Sequence, residues 1–179
     1  MIGVVHDILE LCRLTIAVVF LFSTIGKARD IRGFVVSISD LVKIPHGASI
    51  YAAICIIVVE GVTTLLLLSG GDWSRKGMVI ASGLLLAFTG LTASVVLTRR
   101  QVYCSCFGSR QRPLSCFDVM RNAVMIVMSF LSIAFGTQGA PITEPSNILL
   151  TAAALVVFQI LNNMHVIVEY LFQAEAHAE

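Results

Sequence analysis

The chain has 179 residues, 57% of them hydrophobic and only 13% charged, with a mean hydropathy of +0.90. An ordinary soluble domain carries about 25% charged residues, so this composition marks an integral membrane protein with no room for a separate soluble domain. A formal net charge of +1 offers no concentrated basic surface and argues against a nucleic-acid partner.

A bilayer crossing needs about 20 apolar residues. Runs of that kind extend over Leu9 to Gly26, Ala48 to Ser69, Gly77 to Thr98, Asp118 to Gly136 and Asn147 to Phe172. The expected fold is therefore all-α: one multi-pass helical bundle over residues 1–179 with about five transmembrane helices. The first run is read as a helix, since Met1 to Glu10 lacks the basic leader of a signal peptide and Phe22 to Lys27 makes a poor cleavage site. Pro45 with Gly47, Gly70-Gly71-Asp72, Gly108 with Pro113, and Gly139-Ala140-Pro141 with Pro145 punctuate the spans. Asp118 and Ser146 stand where helix N-caps are expected.

Between the first two spans, Phe34, Val35, Ile38, Leu41 and Val42 recur at helical spacing, with Ser37, Ser39, Asp40 and Lys43 on other faces. Ile31 to Ile44 reads as a short amphipathic helix along the interface, the alternative being a plain linker.

With five spans, the first and third connections share one side of the membrane. That side collects Lys27, Arg29, Arg32, Lys43, Arg99, Arg100, Arg110 and Arg112, against Arg75 and Lys76 opposite. The positive-inside rule places the third connection in the cytoplasm.

That connection carries the chemistry. Cys104-Ser105-Cys106 lies in a polar loop flanked by arginines, with Cys116 just beyond. A disulfide between residues two apart closes a tight ring whose departure from preferred geometry makes it easy to reduce, which suits exchange better than stapling. Nearby cations favour the thiolate, the reactive form. Cys116 is placed as a resolving or relay thiol. Two thiolates would also hold Cu(I), but no His-rich or Met-rich run supports a metal site, and none is assigned. Cys12 and Cys55 read as inert buried residues.

Glu60 sits near the middle of the second span, where a carboxylate costs about 3 kcal/mol or more unless protonated or paired. Lys27, Arg13 and Arg121 are its candidate partners. Either a proton-carrying or anchoring role or a packing hydrogen bond would explain it. On the fifth span, Gln159, Asn162 and Asn163, near His165, share a face expected to turn into the bundle as interhelical glue. Gly61, Gly83 and Gly90 read as close-packing sites. Phe20, Phe22, Phe88, Phe130 and Phe135 read as lipid or core contacts.

Ser23-Thr24-Ile25-Gly26-Lys27-Ala28-Arg29-Asp30 followed by Gly33-Phe34 resembles the Ser-Gly-x-x-Lys-x-x-Asp-Pro-x-Gly-Phe signature of the MauE/DoxX family of redox-associated membrane proteins. Pro45, Glu60-Gly61, Cys104-Ser105-Cys106-Phe107-Gly108 and Arg121-Asn122 follow in the same order as that pattern. Ile31 stands where the family commonly has proline. The resemblance covers about Leu9 to Phe135, and implies a four-helix DoxX-like core over about 9–136 plus an extra C-terminal span over about 147–172.

It further implies a bacterial inner-membrane protein of methylamine utilisation. Such a protein would assist processing, transport or maturation of the methylamine dehydrogenase small (beta) subunit beside MauD, a thioredoxin-like partner. Cys104, Cys106 and Cys116 would be the thiol-disulfide residues, and Lys27, Arg29, Glu60 and Arg121 would contact substrate or partner. That role favours a periplasmic thiol loop, against the charge count. Two alternatives remain: a non-catalytic assembly or transport factor, and a DoxX-type thiosulfate or quinone oxidoreductase in which Lys27 and Arg29 contact an anion. No cofactor is implied except a quinone in that last reading.

Overall fold

A computed structural model describes residues 2–99, 115–135 and 145–163. Every regular element among them is a helix: α1 (Ile2–Arg29), α2 (Ile31–Val42), α3 (His46–Ser69), α4 (Gly71–Leu97), α5 (Cys116–Ala134) and α6 (Pro145–Asn162). Four of these, α1, α3, α4 and α5, are long and apolar enough to cross a bilayer, and α6 is a shorter apolar helix. The protein is a multi-pass helical membrane bundle. The run expected to form a fifth span is helical as far as Asn162, short of crossing length, and its remainder to Phe172 lies outside the described residues, as does His165.

α1 is the hub. In its most apolar stretch 67% of residues are covered, against 28% in each of α3, α4 and α5. Leu14, Ile16, Val18, Val19 and Phe20 of α1 pack with Leu67 of α3, Met78, Ala81 and Leu85 of α4, Met125 of α5, and Ala154 and Phe158 of α6. Phe22 stacks on Phe158 with ring centroids 4.8 Å apart, fixing α6 against α1. Across α4 and α5, the Ser82 and Ser129 hydroxyls share a buried 2.9 Å hydrogen bond, the kind of polar contact that joins helices in lipid.

The segment after α1 is helical, as its periodicity indicates. The Asp30 carboxylate caps α2 by accepting from the Gly33 amide at 3.0 Å, and Lys43, in the left-handed region, ends it. α2 buries Phe34, Val35, Ile38 and Leu41. Phe34 lies beside Phe88, and Leu41 packs on Val95, seven residues further along both helices. α2 therefore points the same way as α4 and packs mainly on α3, with Ile31, Arg32, Val36, Asp40 and Val42 exposed on its other face.

α3 and α4 are joined through one residue. Gly70 (φ 76°, ψ −178°) and Gly71 (φ 59°) supply backbone conformations that side chains resist. The tight turn presses the two helices together at Gly77, where an added Cβ would lie 2.9 Å from Leu66 Cβ and 3.1 Å from the Leu67 nitrogen. Gly77, unremarked in the sequence, is the close-packing glycine. Gly83 and Gly90, expected in that role, meet nothing within 4 Å, and Gly61 makes ordinary contact with Thr24 at 3.8 Å. At the start of α4 the Lys76 ammonium sits 4.3 Å from the exposed Trp73 ring, a pairing suited to a membrane interface.

α6 also departs from expectation. Ala154 and Phe158 take its inward side, which turns Gln159 and Asn163 outward, while Asn162 is half-buried. The two amides are not glue between helices of this chain. Ser146 is already helical, one residue inside the described start of α6 at Pro145.

Replacing Gly77 with Ala is expected to destabilise the protein by about 1–3 kcal/mol through overpacking against α3. Gly83→Ala, made into open space, should stay within about 0.5 kcal/mol. Thermal melting of the purified variants in detergent distinguishes the two, and equal melting would refute the assignment.

Candidate functional site

The sequence demands a partner for Glu60, and the fold supplies Lys27. The Lys27 Nζ donates to Glu60 Oε1, with both side chains buried. Ser23 Oγ, one turn before Lys27 on α1, donates to Glu60 Oε2 at 3.4 Å. Thr64 Oγ1 donates to the Glu60 carbonyl at 2.9 Å. The ammonium also lies over two aromatic faces, 5.1 Å from the Phe34 centroid on α2 and 4.7 Å from that of Phe88 on α4. One cation thus gathers α1, α2, α3 and α4. Its charge is met by a carboxylate and two ring quadrupoles, so the pair is internally neutralised and closed.

Arg13, another candidate for Glu60, is used elsewhere. Its Nε donates to Glu10 Oε2 at 2.5 Å and its Nη1 donates to the Leu67 carbonyl. Leu67 lies in the last turn of α3, where carbonyls lack intrahelical donors and the helix dipole favours a cation. Arg13 is therefore the C-terminal cap of α3, two helical turns beyond Glu60. Glu10, buried at 1% exposure, escaped the sequence reading, although its i, i+3 spacing to Arg13 carries the signal.

Arg121 reaches neither. Its Nη2 lies 3.9 Å from Asp118 Oδ1 within the first turns of α5. Asp118 is not the N-cap; Ser115 is. The carboxylate at the third helical position accepts from the Ser115 amide at 3.0 Å and hydroxyl at 3.2 Å. Because a capping box needs its acid three residues after the cap, the helix starts at Cys116.

Of the thiols, Cys116 is exposed at the first residue of α5, Cys55 is exposed on α3 and Cys12 is buried on α1; none of the three is bridged. The expectation that Cys55 is buried is thus corrected: it faces outward from α3. Cys104 and Cys106 lie outside the described residues. Arg29 is exposed at the end of α1, away from the Lys27 ammonium, which points into the bundle. Arg99, with φ 52°, follows the α4 cap Thr98 at the same side as Ser115 and Cys116. Among the described residues no three His, Cys, Asp or Glu side chains converge on a metal-sized site.

The model of the family described as methylamine utilisation protein MauE matches residues 5–135. The chain belongs to the MauE family. A curated relative, the methylamine utilization protein MauE of Paracoccus denitrificans, is 28% identical over 138 residues, which cover 76% of this chain and 72% of the relative. No solved structure matches the chain. The MauE match closes at Phe135, where α5 ends, so it takes in α1 to α5, the Lys27–Glu60 pair and the Cys-x-Cys segment, and leaves α6 outside.

Removing one partner of the buried pair strands the other charge. Lys27→Met or Glu60→Leu alone is expected to cost about 3–5 kcal/mol, whereas the joint change Lys27→Met with Glu60→Leu should cost much less than the sum. Unfolding of the four proteins in detergent gives the coupling, and additive losses would contradict it.

Proposed function

We propose that this MauE-family protein carries out thiol-disulfide exchange through Cys104 and Cys106 during maturation of the methylamine dehydrogenase beta subunit. The observation that carries the reading is the position of Cys104-Ser105-Cys106-Phe107-Gly108 within the segment matched to MauE. The described ends of the adjoining helices support it. The connection leaves α4 at Arg99 and enters α5 at Cys116, so an exposed third thiol and a cation flank the pair in the chain.

In this scheme a thiolate of the client attacks the Cys104–Cys106 disulfide and forms a mixed disulfide. The client's second thiol displaces it, so the client gains a disulfide and the Cys pair takes two electrons and two protons. A disulfide on a thioredoxin-like partner such as MauD then accepts them and restores the pair. Cys116 serves as a resolving thiol: its thiolate attacks the Cys-pair sulfur of a stalled mixed disulfide, the client leaves as its thiol, and a disulfide to Cys116 remains within the protein. The inner membrane with the loop facing the periplasm is the compartment in which such bonds persist.

The Lys27–Glu60 geometry favours this over a DoxX-type anion site, because the Lys27 ammonium is already bonded to Glu60 and enclosed. Lys27 and Glu60 then act as the scaffold that holds α3 beside α1.

Changing both Cys104 and Cys106 to Ser should abolish accumulation of mature dehydrogenase, at least tenfold, without loss of the membrane-inserted protein. Trapping with a maleimide should show the wild-type pair alternating between protected and modified forms. Normal maturation by the double variant would overturn the proposal.

A further inference from the structure

α6 carries a face on which none of the other described helices packs. Leu149, Ala152, Val156, Gln159 and Asn163 are all exposed, and they recur at intervals of three and four residues. That is the spacing of a seam on which a second helix packs with a small left-handed crossing. Leu155, Val156, Gln159, Ile160 and Asn163 line an open groove of about 390 Å³ along it. The helix is held from behind by Ala154 and Phe158 against α1, so the seam is presented on a fixed support.

Two of the seam positions are amides. Gln159 falls midway along the apolar run from Asn147 to Phe172, where lipid offers no hydrogen-bond partner. Asn163 gives one of its two amide hydrogens to the Gln159 backbone carbonyl at 2.9 Å, leaving the other and its oxygen for a second partner.

We propose that this seam pairs with the same seam of a second copy of the chain, forming a two-fold dimer about an axis along the membrane normal. The membrane itself dictates the match. Copies inserted with the same topology present α6 in the same direction and at the same depth, so Gln159 meets Gln159 and Asn163 meets Asn163. An amide both donates and accepts, and is therefore complementary to its own twin. No Asp, Glu, Lys or Arg occurs from Pro145 to Asn163, so identical faces meet without repulsion. Any other helix would have to carry polar groups at both of these depths. Ala152 leaves room for close approach one turn away.

The test uses the full chain in native membranes. With Val156→Cys, a mild oxidant should yield a dimer whose 156–156 linkage is identified by mass spectrometry and is absent from wild type treated alike. Val127→Cys, exposed on α5, should not yield the equivalent linkage. In bilayers, energy transfer between two differently labelled copies should report association that falls about tenfold or more for Gln159→Leu with Asn163→Leu and persists for Gln159→Asn. A monomeric wild type, equal linkage at positions 156 and 127, association indifferent to the double Leu change, or a different membrane protein seated on α6 in place of the second copy would each overturn the proposal.

Discussion

The arrangement of the bundle depends on the cost of placing a charge in lipid. Glu60 is tolerated inside α3 only because Lys27 meets it, and Lys27 is tolerated because Glu60, Phe34 and Phe88 surround it. Each of those partners stands on a different helix, so satisfying one ammonium fixes α1, α2, α3 and α4 relative to one another. Apolar packing alone would be far less selective, since lipid tails are as apolar as the side chains they compete with. The second charged contact, Arg13 on the Leu67 carbonyl, works at the other end of the α1–α3 interface and sets its tilt as well as its position.

The spans were legible because a run of about 20 apolar residues has few other uses, and the amphipathic α2 because its inward positions repeat at helical spacing. The need for a cation beside Glu60 was legible too, but its identity was not. Lys27, Arg13 and Arg121 carry the same charge, and only the depth and rotation of each helix separate them. Arg13 satisfies a backbone carbonyl at a helix end, a requirement that leaves no mark on the side chains of α3. Likewise, composition cannot distinguish Gly77, pressed on Leu66 by a one-residue turn, from Gly83 and Gly90, which face open space. Polarity within an apolar run points Gln159 and Asn163 inward. The large Phe158 and small Ala154 took that side instead.

The proposed thiol pair is separate in sequence from this scaffold. The buried charges are locked to one another, whereas Cys104 and Cys106 fall between Arg99 and Cys116 in the chain. MauE membership joins the two: the matched segment begins within α1 and ends with α5, so the charged scaffold and the Cys-x-Cys connection belong to one unit. α6 adds a helix to that unit whose outer face is complementary to itself.

The central place of α1 bears on how the protein is made. It leaves the ribosome before the helices that cover it, carrying Glu10, Arg13 and Lys27. Glu10 and Arg13 neutralise each other within one turn, so that part of α1 enters the membrane already paired. Lys27 has no such neighbour until α3 emerges. The buried position that Lys27 takes in the finished bundle therefore has to wait for Glu60, so α1 reaches its final packing only once α3 has been made.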